Sequence, residues 1–264
     1  MTVTPNRATW LNGPDSSCEP AATPLARPVR LVLLGPPGVG KGTQAAMLAS
    51  RFGACHLSTG DVFRAARDCE GCARTPALDE AFRLMSTGRL VPDTTVIALV
   101  AERSTCLRCG GGFLLDGFPR TVAQAEALER LLATHGAALD AVVAFDLPLD
   151  AIVARISGRR TCPGCRAVYH VEGHPPRQPG ICDGCGAGLE QRDDDRPEAV
   201  RVRMEAYARS TEPLLAFYRD HGLLVTVPAD GTPEQVFART EKALLSTPNS
   251  QLPTPNLQLP TSRS

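Results

Sequence analysis

The chain has 264 residues, 43% apolar, 21% charged and 5% aromatic, enough for one large domain or a core with small insertions and too apolar for disorder throughout. Twenty-eight basic residues balance twenty-eight acidic ones, so no global field draws the chain to nucleic acid or to an anionic membrane, and any anion site must be local. No apolar run is long enough to span a bilayer, and the first thirty residues lack the apolar stretch of a secretory signal, so the chain reads as soluble and cytoplasmic.

Residues 1–28 hold Pro5, Pro14, Pro20, Pro24 and Pro28 among scattered polar residues without periodicity, and they read as a disordered tail. The elements then alternate. A strand at Arg30–Leu34 leads through a glycine loop into a helix at Gly40–Phe52. A strand at Cys55–Ser58 precedes helices at Asp61–Arg67, Pro76–Thr87 and Asp93–Arg103. Strands at Phe113–Asp116 and Ala141–Asp146 are followed by helices at Thr121–His135 and Leu149–Gly158. After a cysteine-rich stretch at 159–196 come a helix at Pro197–His221, a strand at Leu223–Val227 and a helix at Pro233–Leu245. Asp93, Thr121 and Thr232 are candidate caps, and Pro197 and Pro233 suit first turns. Short β-rich segments alternating with longer helical ones predict βαβ units, hence an α/β fold on a five-stranded parallel sheet flanked by helices. Residues 246–264, rich in Pro, Ser, Thr and Asn with QLPT nearly repeated, read as a second disordered tail.

The loop Gly35-Pro36-Pro37-Gly38-Val39-Gly40-Lys41-Gly42-Thr43 lies between a strand and a helix. In that setting glycines let successive N–H groups converge on phosphate oxygens, the helix N-terminus adds partial positive charge, and Lys41 bridges the outer phosphates. The pattern G-x-x-x-x-G-K-[ST] is met through Lys41, but Gly42 stands next and the hydroxyl is delayed to Thr43.

Two more strand ends face the same crevice, since groups at the carboxyl ends of parallel strands do so. One carries Asp116-Gly117-Phe118-Pro119-Arg120; the other carries Ser58-Thr59-Gly60-Asp61, with Arg64 a turn beyond. Arg155 and Arg159, at i and i+4, are expected on one helix face. Arg192 and Arg203 follow, whereas Arg201 and Arg209 read as a solvated face. So many guanidiniums suit phosphoryl transfer between two nucleotides, where fixed forks of donors neutralise the moving group and hold donor and acceptor in line. Such chemistry also needs a lid to exclude water.

Cys162-x2-Cys165 and Cys182-x2-Cys185 are sixteen residues apart, a spacing suited to tetrahedral zinc with no open position, so the metal should be structural. Cys69, Cys72, Cys106 and Cys109 repeat the short spacing but are expected apart in space, leaving one zinc per chain. His170 is expected to pack on the zinc knuckle, and His56 to serve the core or a strand end.

The motifs GPPGVGKGTQ, STGDVFRAA, LLDGFPRT, GRRTCPGC with VYH, and CDGCGAGLEQRDDD, in this order, resemble bacterial adenylate kinases of the long, zinc-bearing lid type over residues 30–245. The resemblance implies a P-loop nucleoside monophosphate kinase core over 29–245, with an AMP clamp at 58–87 and a zinc-stapled lid at 158–195. It implies reversible transfer of the terminal phosphoryl group of ATP to AMP, giving two ADP, by a monomer.

By motif match, Gly38, Val39, Gly40, Lys41, Gly42 and Thr43 would cradle the ATP phosphates, with Arg155, Arg159, Val168, Tyr169 and Pro233 also on the ATP side. Thr59, Arg64, Arg89, Leu90, Val91, Gly117, Phe118, Pro119, Arg120 and Gln124 would surround AMP, with Arg192 and Arg203 reaching in as the lid closes. Lys41, Arg120, Arg159, Arg192 and Arg203 would stabilise the transferring group, and Asp116 would hold Mg²⁺ through water. The clamp is a few residues longer than is usual in the family, and Pro233 stands where a backbone contact to adenine is common; a carbonyl contact survives proline, an N–H contact does not. A kinase for another nucleoside monophosphate stays open as an alternative. So does a zinc-ribbon nucleic-acid-binding protein, disfavoured by Asp183 and Asp193–Asp195 and a single tyrosine in the insertion.

Overall fold

The computed structural model describes residues 27–68, 76–87, 89–108, 110–165 and 167–246, and of residues 64–68 and 76–80 the backbone alone. The chain runs β1 (Val29–Leu34), α1 (Lys41–Phe52), β2 (Cys55–Ser58), α2 (Thr59–Asp68), α3 (Pro76–Ser86), α4 (Asp93–Glu102), β3 (Gly112–Asp116), α5 (Val122–Thr134), β4 (Ala141–Asp146) and α6 (Leu149–Ser157). It continues through β5 (Arg159–Thr161), β6 (Val168–His170), α7 (Pro197–Ala206), α8 (Pro213–Asp220), β7 (Leu224–Pro228) and α9 (Pro233–Leu245). Among the described residues, no helix is long and apolar enough to cross a membrane.

β2, β3, β1, β4 and β7 lie side by side in that order, all parallel, as the alternating pattern predicts. Successive side chains of a strand point to opposite faces, and both faces of this sheet are apolar. Val32, Leu57, Phe113, Leu115 and Val142 pack one face against Val96 of α4, Leu128 of α5 and Tyr218 of α8. Leu31, Leu33, Leu114, Val143 and Val225 pack the other against Leu48 of α1, Ile152 of α6 and Val236 of α9. Each such fully buried side chain contributes about 1.5–3 kcal/mol relative to exposure, so the sheet is the rigid frame of the molecule. After β1 the chain crosses one face as α1, and after β3 it crosses the other as α5. The carboxyl ends of these adjacent strands therefore splay their loops apart and open a crevice.

Four expectations need correcting. The helix expected over Pro197–His221 is broken: α7 ends at Ala206, a π-helical turn spans Tyr207–Thr211, and α8 begins at Pro213. Proline lacks the N–H needed to continue the ladder, and the Glu212 amide bonds five residues back to the Tyr207 carbonyl at 2.9 Å. Second, the cysteine-rich stretch holds an antiparallel pair, β5 with β6, where no strand is expected. Third, α2 starts at Thr59, its Asp61 amide accepted by the Ser58 hydroxyl at 3.3 Å. Fourth, Asp93 is not the cap of α4: Pro92 occupies that position without a side-chain bond. Thr121 and Thr232 do cap α5 and α9, the latter in a capping box with Gln235.

The tails expected at 1–28 and 246–264 lie outside the described residues, apart from 27, 28 and 246. Arg27 pairs with Asp140, whose other oxygen accepts from the Arg30 amide at 2.7 Å, tying the start of β1 to the loop before β4.

Candidate active site

The loop after β1 turns through left-handed glycines. Gly38 has φ +81°, and a Cβ there would stand 2.4 Å from the Ile156 side chain; Gly40, at φ +105°, forms the cap of α1. Only glycine meets both demands without strain. Lys41 opens α1 half-buried, its Nζ donating to the carbonyls of Gly35 at 2.8 Å and Pro36 at 3.0 Å, while Gly42 and Thr43 stay exposed.

Burial pushes the Lys41 ammonium down to about 8; Asp116 opposes this, and the guanidiniums of Arg120, Arg203 and Arg159 add to it. Three arginines distant in sequence therefore crowd one lysine at the mouth of the loop. For the Asp116 carboxyl, burial is the largest influence and acts upward. The His56 ring, 3.5 Å away, and then Lys41 outweigh it and hold the group below the usual carboxylate range. The core or strand-end role expected of His56 thus takes the form of a partner for Asp116 across adjacent strands.

Arg155 and Arg159 do not share a helix face, because α6 ends at Ser157 and Arg159 begins β5. Arg155 reaches back to the carbonyls of Val39 at 2.9 Å and Ala229 at 2.8 Å, joining the phosphate loop to the segment before α9. Arg159 forks both oxygens of Asp195, whose side chain is fully buried, and Arg203 reaches the same carboxylate at 3.3 Å and Asp194 at 3.0 Å. Arg192 donates to the Thr161 hydroxyl at 2.9 Å. The acidic residues that organise these arginines carried no sequence signal beyond an acidic run.

A second pocket opens beside this cluster, between α2, α4 and the turn after β3. Thr59, Arg89, Val91, Gly117 and Arg120 line it as grouped in the sequence, and Gly60, Phe63, Met85 and Val96 join them. Phe63 falls four residues after Thr59, on the same helical face, the signal that could have found it. The Thr59 hydroxyl donates to the Gly117 carbonyl at 3.0 Å, and Arg120 Nε donates to the same oxygen at 2.8 Å. Phe118 is buried in the core and Pro119 is buried after it, neither lining the pocket, while Leu90 is half-buried beside Val91. Gln124, 2% exposed, is bonded at both ends of its amide. The side chain of Arg64 lies outside the described residues.

Of the residues expected beside ATP, Val168 is exposed, but Tyr169 is buried with its hydroxyl 3.5 Å from Cys182 Sγ. The Pro233 carbonyl accepts from Gln44 Nε2 at 2.9 Å, a partner the sequence reading missed.

Cys162, Cys165, Cys182 and Cys185 bring their four sulfurs within 4.8 Å of one another. Zinc–thiolate bonds of about 2.3 Å imply tetrahedral edges of about 3.8 Å, and the 3.3 and 3.4 Å contacts across the two pairs approach that size. The Tyr169 hydroxyl holds the Cys182 thiol below its usual value, toward the thiolate that metals take, while burial and the neighbouring thiols push Cys165 up. Four thiols so placed fit a structural metal ion such as zinc and leave no position for substrate. His174 stacks on Tyr169 with centroids 5.7 Å apart. His170, expected on this knuckle, instead sits at the base of the insertion, its ring 3.3 Å from the Ala154 carbonyl of α6 and accepting from Glu172 and Gly173 amides. Of the other paired cysteines, Cys69, Cys72 and Cys109 lie outside the described residues, and Cys106 is buried.

A phosphate loop, an arginine cluster, a second pocket and a cysteine-stapled insertion thus share one crevice, and comparison with known proteins agrees with what that geometry suggests. The adenylate kinase family profile matches residues 33–223. The chain is 50% identical over 217 residues to the adenylate kinase of Anaeromyxobacter sp. strain Fw109-5, covering 82% of this chain and 99% of that protein. It is 46% identical over 216 residues to that of Carboxydothermus hydrogenoformans, covering 82% and 99%, and 49% identical over 217 residues to that of Streptomyces avermitilis, covering 82% and 97%. The glycine loop, the arginine cluster and the insertion fall within residues 33–223, and the chain belongs to the adenylate kinase family.

Proposed function

We propose the residue roles by which this adenylate kinase converts ATP and AMP into two ADP. The amides of Gly38 to Thr43 and the Lys41 ammonium hold the ATP phosphates, with Arg155 and exposed Val168 against the base and Pro233 beside it. AMP enters the second pocket, its phosphate toward Arg89 and Arg120, its base among Thr59, Val91 and Gln124, and we assign Arg64 to AMP as the resemblance implies. An AMP phosphate oxygen attacks the γ-phosphorus in line, the bond to the β-bridging oxygen breaks, and the leaving ADP keeps its electron pair. No general base is needed, because the attacking phosphate oxygen is already anionic.

Charge spreads over the equatorial oxygens of the moving group. Lys41, Arg120, Arg159, Arg192 and Arg203 face it as donors whose orientation is set beforehand by backbone carbonyls, Thr161, Asp194 and Asp195, so little reorganisation is required. Asp116, held ionised beside Lys41, would keep Mg²⁺ through water, and the ion would neutralise phosphate charge. The four cysteines would hold zinc, which supplies stiffness to the insertion and no chemistry. We further infer that the enzyme works as a monomer, as the resemblance implies, and we place its work in the cytoplasm.

The observation that carries this reading is the convergence of Arg120, Arg159, Arg203 and Asp116 on Lys41. The test is ADP formation by purified protein from MgATP with AMP, GMP, CMP or UMP. AMP should be preferred; equal or better turnover with another acceptor would reject the assignment of the second pocket.

A further inference from the structure

Asp93 opens α4 without capping it. Its carboxylate is spent elsewhere: Oδ2 accepts from the Thr121 hydroxyl at 2.8 Å, and Oδ1 accepts from Gln124 Nε2 at 2.6 Å. At the other end of that amide, Gln124 Oε1 accepts from the Arg120 backbone N–H at 2.8 Å. A carboxylate can only accept and a backbone N–H can only donate. Gln124 is therefore gripped by two partners of opposite polarity, and its NH2 has one permitted orientation.

A primary amide nitrogen carries two hydrogens. Asp93 takes one, and the second has no partner among the described residues, although Gln124 is 2% exposed. A buried donor left over in this way needs an acceptor. Gln124 stands behind the second pocket and not among the residues lining it, but Arg120, which grips Gln124, and Val96, one turn after Asp93, both line that pocket. Adenine offers an acceptor at N1, whereas guanine offers an N–H donor there.

We propose that Asp93 is the positioning residue that sets the acceptor base: its Oδ1 anchors the Gln124 NH2 whose polarity it fixes together with the Arg120 N–H, so that Gln124 presents an N–H that adenine N1 accepts and guanine N1–H opposes. This rests on the reading of Gln124 as an AMP residue, and the experiment separates the two. The readout is kcat and KM for AMP and GMP at saturating ATP, with melting temperature as a control.

Asp93→Leu should lower the AMP-to-GMP ratio of kcat/KM by at least about tenfold, chiefly through KM for AMP, with KM for ATP unmoved, because the Gln124 NH2, tethered then only through the Arg120 N–H at its other end, loses the anchor that aims its second hydrogen, and one misdirected buried hydrogen bond carries that much discrimination. Asp93→Asn, whose Oδ1 still accepts, should keep most of the ratio. A staple between α4 and α5 and nothing more would lower the melting temperature and slow both acceptors alike, so an unchanged ratio in folded Asp93→Leu overturns the proposal. Should that variant not fold, Asp93→Asn with Gln124→Glu decides. The Asn amide then donates to Glu, Arg120 N–H keeps an acceptor, and a carboxylate faces the base. A shift of about tenfold or more toward GMP supports the proposal, and retained preference for AMP overturns it. Gln124→Leu is the arbiter of the underlying reading. If it leaves the ratio untouched, the placement of AMP fails and the proposal with it; if it moves the ratio while Asp93→Leu does not, the positioning role alone fails.

Discussion

Lys41 carries a proton that its surroundings hold loosely. Burial and three guanidiniums bring its pKa to about 8, so the side chain is charged below that pH and increasingly neutral above it. A triphosphate places negative charge against the ammonium and raises the pKa again. Between about pH 8 and the raised value, the complex then carries a proton that the free protein lacks. Binding takes that proton up, and affinity must fall as pH rises. We predict that kcat/KM for ATP declines above pH 8 by up to about tenfold per pH unit. Calorimetry in two buffers of different ionisation enthalpy should detect the uptake. Lys41→Met should lower kcat/KM by about 10²–10³ through loss of a donor aimed at the transferring group, and should flatten this limb of the profile. A parent enzyme whose profile is already flat from pH 8 to 9.5 would contradict the ammonium's role. The neighbouring arginines avoid the problem, since a guanidinium keeps its charge throughout this range. Their requirement is orientation, which the buried Asp195 carboxylate supplies to Arg159 and Arg203 together.

At the scale of elements, the insertion that carries β5 and β6 cannot hold itself by apolar burial. Its cluster consists of Cys162, Tyr169 and Cys182, with Ala167, Ala187 and Leu189 packed around them. A segment with so little core depends on a cross-link, and metal-binding free energy is then folding free energy for that segment. We predict one zinc per chain, measured by metal analysis, and its loss on Cys182→Ser. Chelation should melt the insertion in a transition that precedes unfolding of the sheet, with KM for ATP raised at temperatures between the two. A single transition unmoved by chelator would exclude a structural metal. This segment also marks the limit of what the sequence yields. The five strands of the sheet are readable because both faces are apolar and glycine or proline turns bound them, and the cysteine spacing is readable because ligand geometry dictates it. β5 and β6 are three residues each, held by backbone pairing beside the four-cysteine cluster, and leave no periodic trace. The break at Pro213 was visible as a residue, yet its consequence, a π-turn that sets the Thr211 hydroxyl 3.0 Å from the Arg120 carbonyl, depends on packing against a turn ninety-one residues away in sequence. Asp93 reads as a cap from its position alone, and only the approach of α5 to α4 reveals its bonds to Thr121 and Gln124.

For the molecule as a whole, the decisive feature is that the sheet's two apolar layers and the insertion's small cluster are separate packing units. The insertion meets the rest at Gly158, where an added Cβ would stand 2.2 Å from the His170 ring, and through the ion pairs of Arg203 on α7 with Asp194 and Asp195. Units joined by polar contacts can shift relative to each other without repacking a core, whereas a tightly packed sheet cannot. Phosphates arriving between Lys41 and the arginines add attraction across that junction, so nucleotide should close the insertion over the crevice and leave the sheet unchanged. Hydrogen exchange tests this directly. With a bisubstrate analogue that links two adenosines through a phosphate chain, amides of residues 158–195 should gain protection by at least about tenfold, the response of a low-stability unit to a ligand that binds one arrangement. Amides of β1 and β4, already protected by burial on both faces, should change little. Protection rising equally across sheet and insertion would mean that the ligand stabilises one rigid body, and the closing motion would have to be abandoned as the way water is kept from the transferring group.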